Sequence, residues 1–211
     1  MEQRLIPARE RTDKIMKLLF KKGFDFANTH NIGTLGLPAN IDWAYGATRL
    51  VVWDWDNTDF VVKIPLGTDC FKYCDKEVSL YQSSLVEGVD EYFAWTEFVD
   101  FYHDWPIYAM EFVDCDQDSI EDSVYTSAFE SWCAETGSDM DDDDAKDEFN
   151  DHYFDWTCDF VYDWMFDQID SLAAKALETF INMNRINDLH CQNIGFKDGQ
   201  IVIVDYASFG W

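Results

Sequence analysis

The chain has 211 residues, of which 47% are hydrophobic and 17% aromatic, so it can bury a substantial core in one domain or in two small lobes. Its formal net charge of −27 repels nucleic acid and membrane headgroups, which argues against direct binding to either and favours basic protein surfaces or cations as partners. With no run of 18 apolar residues and no apolar leader at the N-terminus, a soluble cytoplasmic protein is expected, and its six cysteines, without a CxxC pair, are expected as free thiols.

The charge is unevenly spread. Residues 1–24 carry Arg4, Arg9, Arg11, Lys14, Lys17, Lys21 and Lys22, nearly half of the 15 basic residues. Within them "ARERTDKIMKLLFKK" (8–22) sets Ile15, Leu18 and Leu19 on one face, and Gly23 ends the pattern, predicting an amphipathic helix. This helix and the linker behind it form a first segment, 1–38.

From 39 to 66 the period shortens. Residues 48–55 and 59–64 are two β-rich runs around Asp56, Asn57 and Thr58, predicting a hairpin. "DKEVSLYQSSL" (75–85) predicts a short helix, and residues 92–113 a second hairpin turning near His103–Pro106. Residues 39–112 thus read as a compact antiparallel sheet carrying one helix.

A third segment, 113–211, begins with a largely helical stretch to about 185. Residues 114–170 contain 20 acidic side chains and one basic, Lys146. Beyond the loop "SDMDDDD" aspartates recur every fourth residue, at Asp139, Asp143, Asp147, Asp151, Asp155, Asp159, Asp163 and Asp167. Phe149, Tyr153, Trp156 and Phe160 supply an apolar face on the same helix. The five like-charge neighbours from Asp147 to Asp167 together cost roughly 1–2.5 kcal/mol. One buried aromatic offsets that by about 1.5–3 kcal/mol, so the helix is expected to form, with a break near 164–171. "IDSLAAKALETFINM" then predicts a buried helix with Leu172, Ala176, Phe180 and Met183 inward. The tail predicts a small hairpin, 193–196 and 201–204, turning at Lys197-Asp198-Gly199 and ending on Asp205.

Phosphoryl transfer asks a protein for a cation on the phosphates, oxygen ligands for Mg²⁺, and a carboxylate to orient the attacking hydroxyl. Lys63 in "VVKIP" ends a strand, and Glu77 on the next helix can pair with it. Asp188 and Asn193 stand five residues apart on one loop, suited to orienting a hydroxyl and to holding Mg²⁺. Asp205 follows the β run "IVIV" and can give a second oxygen.

In this order the motifs resemble the protein-kinase-like superfamily from about residue 40 onward. "VVKIP" looks like its strand-borne lysine motif, and Glu77 falls where the helix glutamate is expected. "IYAMEFV" resembles the strand leading into the hinge, with Met110 as gatekeeper and backbone groups of Glu111 and Val113 toward adenine. "NDLHCQNIGF" is similar to the catalytic loop in the D-L-H form of antibiotic phosphotransferases and small phage-encoded serine/threonine protein kinases. "IVIVDYASF" stands where the metal-binding aspartate is expected. The resemblance implies a reduced α+β fold, with an antiparallel-sheet N-lobe carrying one helix and a truncated, mostly helical C-lobe. It further implies ATP and Mg²⁺, with Asp188 as catalytic base, Lys63 and Glu77 beside it in catalysis, Lys63 also on the nucleotide, and Asn193 and Asp205 on the metal. In a phage-encoded protein the setting would be the host bacterial cytoplasm.

The sequence departs from the family in several places. It has no G-x-G-x-x-G, and "LPANIDWAYGA" with Gly46 stands there instead. Ile186 replaces the loop histidine, Tyr206-Ala207 replace Phe-Gly, and six residues follow Asp205, from which no activation segment or later substrate-binding helices are expected. A protein substrate therefore fits better than a small molecule.

The acidic helix supports a reading of another class. Asp147, Asp151, Asp155, Asp159 and Asp163 form a solvated face, a docking surface for a basic host protein, or a mimic of nucleic acid. The last would make the chain a degenerate kinase-like inhibitor of a host DNA-binding or defence protein.

Overall fold

The computed structural model describes residues 2–115 and 117–207, without the side chains of residues 2, 3, 117–119, 121 and 153–159. The chain is a mixed α+β protein that divides into two compact units, residues 1–83 with 94–112, and residues 84–93 with 113–211.

The first unit is built on a five-stranded antiparallel sheet in the order β1-β2-β3-β5-β4. Its strands are β1 (Ile41–Tyr45), β2 (Arg49–Asp54), β3 (Asn57–Pro65), β4 (Thr96–Tyr102) and β5 (Trp105–Glu111). Both expected hairpins are present. The β4–β5 turn is His103-Asp104, with φ of 50° and 65°; two left-handed residues match the twist of the strands they join. The edge strand β1 was not expected from the sequence. Its five residues follow Asn40, which secures the β2–β3 turn by donating to Asp54 Oδ1 (2.7 Å) and Asp56 Oδ2 (3.0 Å).

Alternation along the strands gives the sheet two different faces. On one, Leu50, Val52, Val62, Ile64 and Ile107 pack against Ile15, Met16 and Leu19 of α1 (Glu2–Lys21) and against Phe24 and Ile32 behind it. Each such burial contributes about 1.5–3 kcal/mol. Helix α1 starts earlier than the expected 8–22 and ends as expected before Gly23, whose φ is 93°. Its cations also help fix it to the sheet. Arg11 donates to Asp54 Oδ2 at 3.0 Å, and that carboxylate is 3% exposed. The other face bears Arg49, Val51, Lys63, Tyr108 and Met110, because Val51 and Tyr108 flank Lys63 in register. Helix α2 (Phe71–Glu87) follows β3; its last turn belongs to the second unit.

The second unit contains α3 (Gln117–Thr136), α4 (Asp143–Asp167), α5 (Ser171–Asn184) and the hairpin β6 (Ile194–Lys197) with β7 (Gln200–Ile203). Helices α3 and α4 share a core of Ala128, Phe129, Trp132, Cys133, Ala145 and Phe149, with Phe160 partly buried against it. Val161 and Met165 are fully buried. The side chains of Tyr153 and Trp156, expected on the apolar face of α4, lie outside the described residues. The helix ends at Asp167 with Gln168 as its cap, within the expected break.

Helix α5 forms where expected but presents a different face. Leu177, Phe180 and Ile181 are buried, whereas Leu172 is 79% and Met183 78% exposed. Apolar residues run around about half of this helix, so two overlapping stripes satisfy a 3.6-residue period. Among the described residues Cys70, Cys74, Cys115, Cys133 and Cys191 are free thiols, and no helix is long and apolar enough to cross a membrane.

Candidate functional site

In the first unit the site begins with Lys63 on β3. Alternating with Val62 and Ile64, Lys63 faces the other side of the sheet, where it is buried and its ammonium needs partners. It finds Glu77 on α2, with Nζ 2.8 Å from Oε1 and 2.7 Å from Oε2. Met110 Sδ stands 3.4 Å from the same nitrogen. The side chains of Lys63 and Glu77 are each 1% exposed.

Sequence reasoning missed Arg49. Its guanidinium donates to Glu77 Oε2 at 2.9 Å, and the side chain is 4% exposed. The available signal was a cation opening the apolar strand "RLVVWD", two residues before Val51 and so on its face of the sheet. Tyr108 adds a further tie to α2 by donating from its hydroxyl to Asp75 Oδ1 at 2.6 Å. Burial, and then that hydrogen bond, push the Tyr108 phenol well above its ordinary range, so it stays a donor.

Glu111 ends β5. Its amide N–H donates to Trp95 O at 2.8 Å, and its carboxylate meets Arg4 at 3.3 Å. Val113 is 9% exposed and is where the chain passes from the first unit into the second after Phe112.

In the second unit, residues 185–205 form a loop, a hairpin and a sharp bend. Arg185 leaves α5 in the left-handed region (φ 53°), and the Ile186 amide closes the helix onto Ile181 O at 3.0 Å. Ile186, Leu189 and Cys191 are buried, leaving Asp188 and His190 partly exposed between them. Asn193 is pinned on several sides. Its Nδ2 donates to Asp188 O at 2.8 Å and lies 3.0 Å from His190 Nε2. Its amide donates to His190 O and its carbonyl accepts from Val204 N, both at 2.8 Å.

The Gln192 amide donates to His190 Nδ1 at 3.3 Å, and Asn193 Nδ2 lies 3.0 Å from Nε2. A neutral imidazole has one ring lone pair to accept the Gln192 bond, and an imidazolium has none. Burial lowers the His190 pKa further, against the opposing pull of Asp188 and Asp205. Both carboxylates therefore act on the same ring.

Asp205 follows Val204 with φ of 49°, a conformation that costs a non-glycine residue of order 1 kcal/mol and persists only where its surroundings fix it. Here they do. Tyr206 and Ala207 are each 1% exposed, and Tyr206 packs edge-on against Phe93. The hairpin itself turns at Asp198-Gly199, with φ of 52° and 79°. It is seated by Gly195, where a Cβ would come within 2.5 Å of Asp114 O.

The two residues the sequence assigns to a metal, Asn193 and Asp205, carry oxygen donors, Oδ1 and a carboxylate. They suit Mg²⁺, which takes one or two protein oxygens and keeps its waters. Among the described residues no group of three or more His, Cys, Asp and Glu converges as a metal site.

On α4, Asp147, Asp151 and Asp163 are exposed, as are Asp139, Asp143 and Asp167. The side chains of Asp155 and Asp159, expected on the same face, lie outside the described residues. No protein-family model matches the chain, and no curated protein matches it.

Proposed function

We propose that the chain is an ATP- and Mg²⁺-dependent protein kinase of the kinase-like superfamily, with a reduced two-lobed fold, acting on serine or threonine of a basic protein. The observation that carries this reading is the buried Lys63–Glu77 pair. A lysine on a strand is ordinarily a surface residue, and a surface ion pair contributes little. Withdrawing both charges to 1% exposure is costly for stability alone, and a cation held ready for phosphates is a reason to bear that cost. The αL bend at Asp205 and the pinned Asn193 support the same reading.

In this mechanism Lys63 takes the α- and β-phosphates, and Asn193 and Asp205 would hold the metal. Bound there, Mg²⁺ would supply positive charge against the charge that develops on the phosphates. Asp188 orients the substrate hydroxyl and accepts its proton as the oxygen bonds to the γ-phosphorus. The bond from that phosphorus to the bridging oxygen breaks, and ADP leaves. His190, neutral and beside Asp188, adds no competing positive charge there.

The exposed aspartates of α4 favour a compatible second reading, in which that face docks a basic protein. Without catalysis, the same surface makes an inhibitor that imitates nucleic acid.

Calorimetric titration with ATP separates the readings. The kinase reading predicts Mg²⁺-dependent binding that Lys63→Met and Asp205→Ala each abolish while both variants stay folded. Binding that ignores both substitutions would remove the nucleotide from the account. A pure docking protein would bind basic partners with an affinity that falls with salt and fails when Asp147, Asp151 and Asp163 become Asn.

A further inference from the structure

Helix α5 turns one apolar stripe inward and leaves a second uncovered. Leu177, Phe180 and Ile181 are buried, while Leu172 is 79% and Met183 78% exposed. Between these two, on the same side of the helix, stand Ala176 and Thr179, also exposed. Among the described residues no other element carries two exposed large apolar side chains. Single exposed apolar residues are ordinary on a protein surface, but a row along one helix marks a contact face.

The row runs from Leu172 through Ala176 and Thr179 to Met183, at spacings of four, three and four. That is the seam of a helix built to pack on another helix. Its order of large, small, small, large reads the same from either end. A second copy of α5 laid antiparallel therefore matches it, with Leu172 on the partner's Met183 and Ala176 on the partner's Thr179. The small central pair lets the two helices approach closely. The Thr179 hydroxyl already donates to Lys175 O at 2.8 Å, so covering it strands no donor.

Charge favours the same arrangement. Residues 171–184 carry one cation and one anion, Lys175 and Glu178, in a chain of net charge −27. Antiparallel packing brings the Asp170 end of one helix to the Arg185 end of the other. These two capping residues are exposed and opposite in charge. Parallel packing would set like against like.

We propose that the exposed face of α5 is a self-association surface, on which two copies of the chain pair antiparallel about a two-fold axis. The helix has 14 residues. At about 21 Å it covers less than a standard interface, so the dimer is weak and concentration-dependent. Salt strengthens it, because screening relieves the repulsion between two acidic chains and leaves the apolar contact intact.

Sedimentation velocity of the full chain over a range of concentrations, at low and at high salt, tests this, with thermal unfolding to confirm that each variant folds. The dimer fraction is expected to rise with both concentration and salt. Leu172→Glu and Met183→Lys place each charge at the helix end whose dipole favours it, so folding should survive. Each sets its charge against an apolar partner and should weaken dimerisation by about tenfold or more. The double variant should recover part of that loss, since antiparallel packing sets each new carboxylate on the partner's new ammonium. Within one chain the two positions lie roughly 16 Å apart, too far to pair. Met183→Ala, which adds no charge, should also weaken the dimer, so the outcome does not hang on the charged variants folding.

A chain that stays monomeric at every concentration and salt overturns the proposal and leaves the stripe to a different protein. A dimer that dissociates as salt rises overturns it too, as does one that no single variant weakens. A folded double variant no better than the single ones excludes the antiparallel match and overturns it likewise. None of these readouts involves nucleotide, so failure here leaves the kinase reading untouched.

Discussion

In the first unit Lys63, Glu77 and Arg49 are each under 5% exposed and bonded to one another, whereas in the second the Asp188 side chain is 33% exposed and its neighbour His190 is held neutral. The first cluster keeps opposite charges dry by pairing them. The second keeps its carboxylates partly wet and fixes their positions through backbone, with buried Ile186, Leu189 and Cys191 on the loop and an αL bend at Asp205. A paired buried charge is a structural commitment as well as a chemical resource. A half-exposed one can change partners at little cost to folding.

The largest effect expected from this contrast is on stability. Glu77→Ala strands two buried cations and should cost about 3–5 kcal/mol in urea unfolding. Asp188→Ala should cost under about 1 kcal/mol. Comparable losses at the two sites would break the distinction. Next, Gly195→Ala should cost about 1–3 kcal/mol, since the new methyl meets the Asp114 carbonyl and the backbone must shift. A neutral Gly195→Ala would mean that packing does not hold the second site.

A smaller effect separates the sites by pH. Burial lowers the His190 pKa from its model-compound value of 6.5, with Asp188 and Asp205 opposing. The unfolded chain therefore takes up this proton first as pH falls. The stability present above about 6.5 declines from there through the depressed folded value, and no loss from this group occurs above 6.5. His190→Gln should flatten that part of a urea-midpoint profile against pH, leaving the alkaline side unchanged. A profile identical to wild type would contradict the neutral, partly buried ring.

The smallest effect belongs to α4. Asp151→Asn removes like-charge neighbours at i±4 and should stabilise by a few tenths of a kcal/mol at low salt, vanishing at high salt. Stabilisation that persists in salt would point to a different cause.

What the sequence made legible depended on whether local chemistry had one solution. Asp198-Gly199 between two β runs has one good turn, and the structure adopts it. "VVKI" and the β5 run read as strands because apolar residues there leave no alternative. Helix α5 had two overlapping apolar stripes, and only tertiary packing chose Leu177, Phe180 and Ile181 over Leu172 and Met183. Strand β1 carries too few residues to show a period and is secured by Asn40, a contact no local pattern announces. The candidate residues Lys63, Glu77, Asp188, Asn193 and Asp205 were named by motif order. Arg49 escaped because its significance lies across 28 residues of chain, on a carboxylate already given to lysine.

The most direct test of the central claim is transfer of label from γ-labelled ATP with Mg²⁺ into a panel of basic proteins, comparing wild type with Asp188→Ala at saturating nucleotide. The account predicts labelled serine or threonine with the wild type, and none with a folded Asp188→Ala that still binds Mg·ATP. Equal labelling by both proteins, or no labelling by a wild type that binds Mg·ATP, would contradict it.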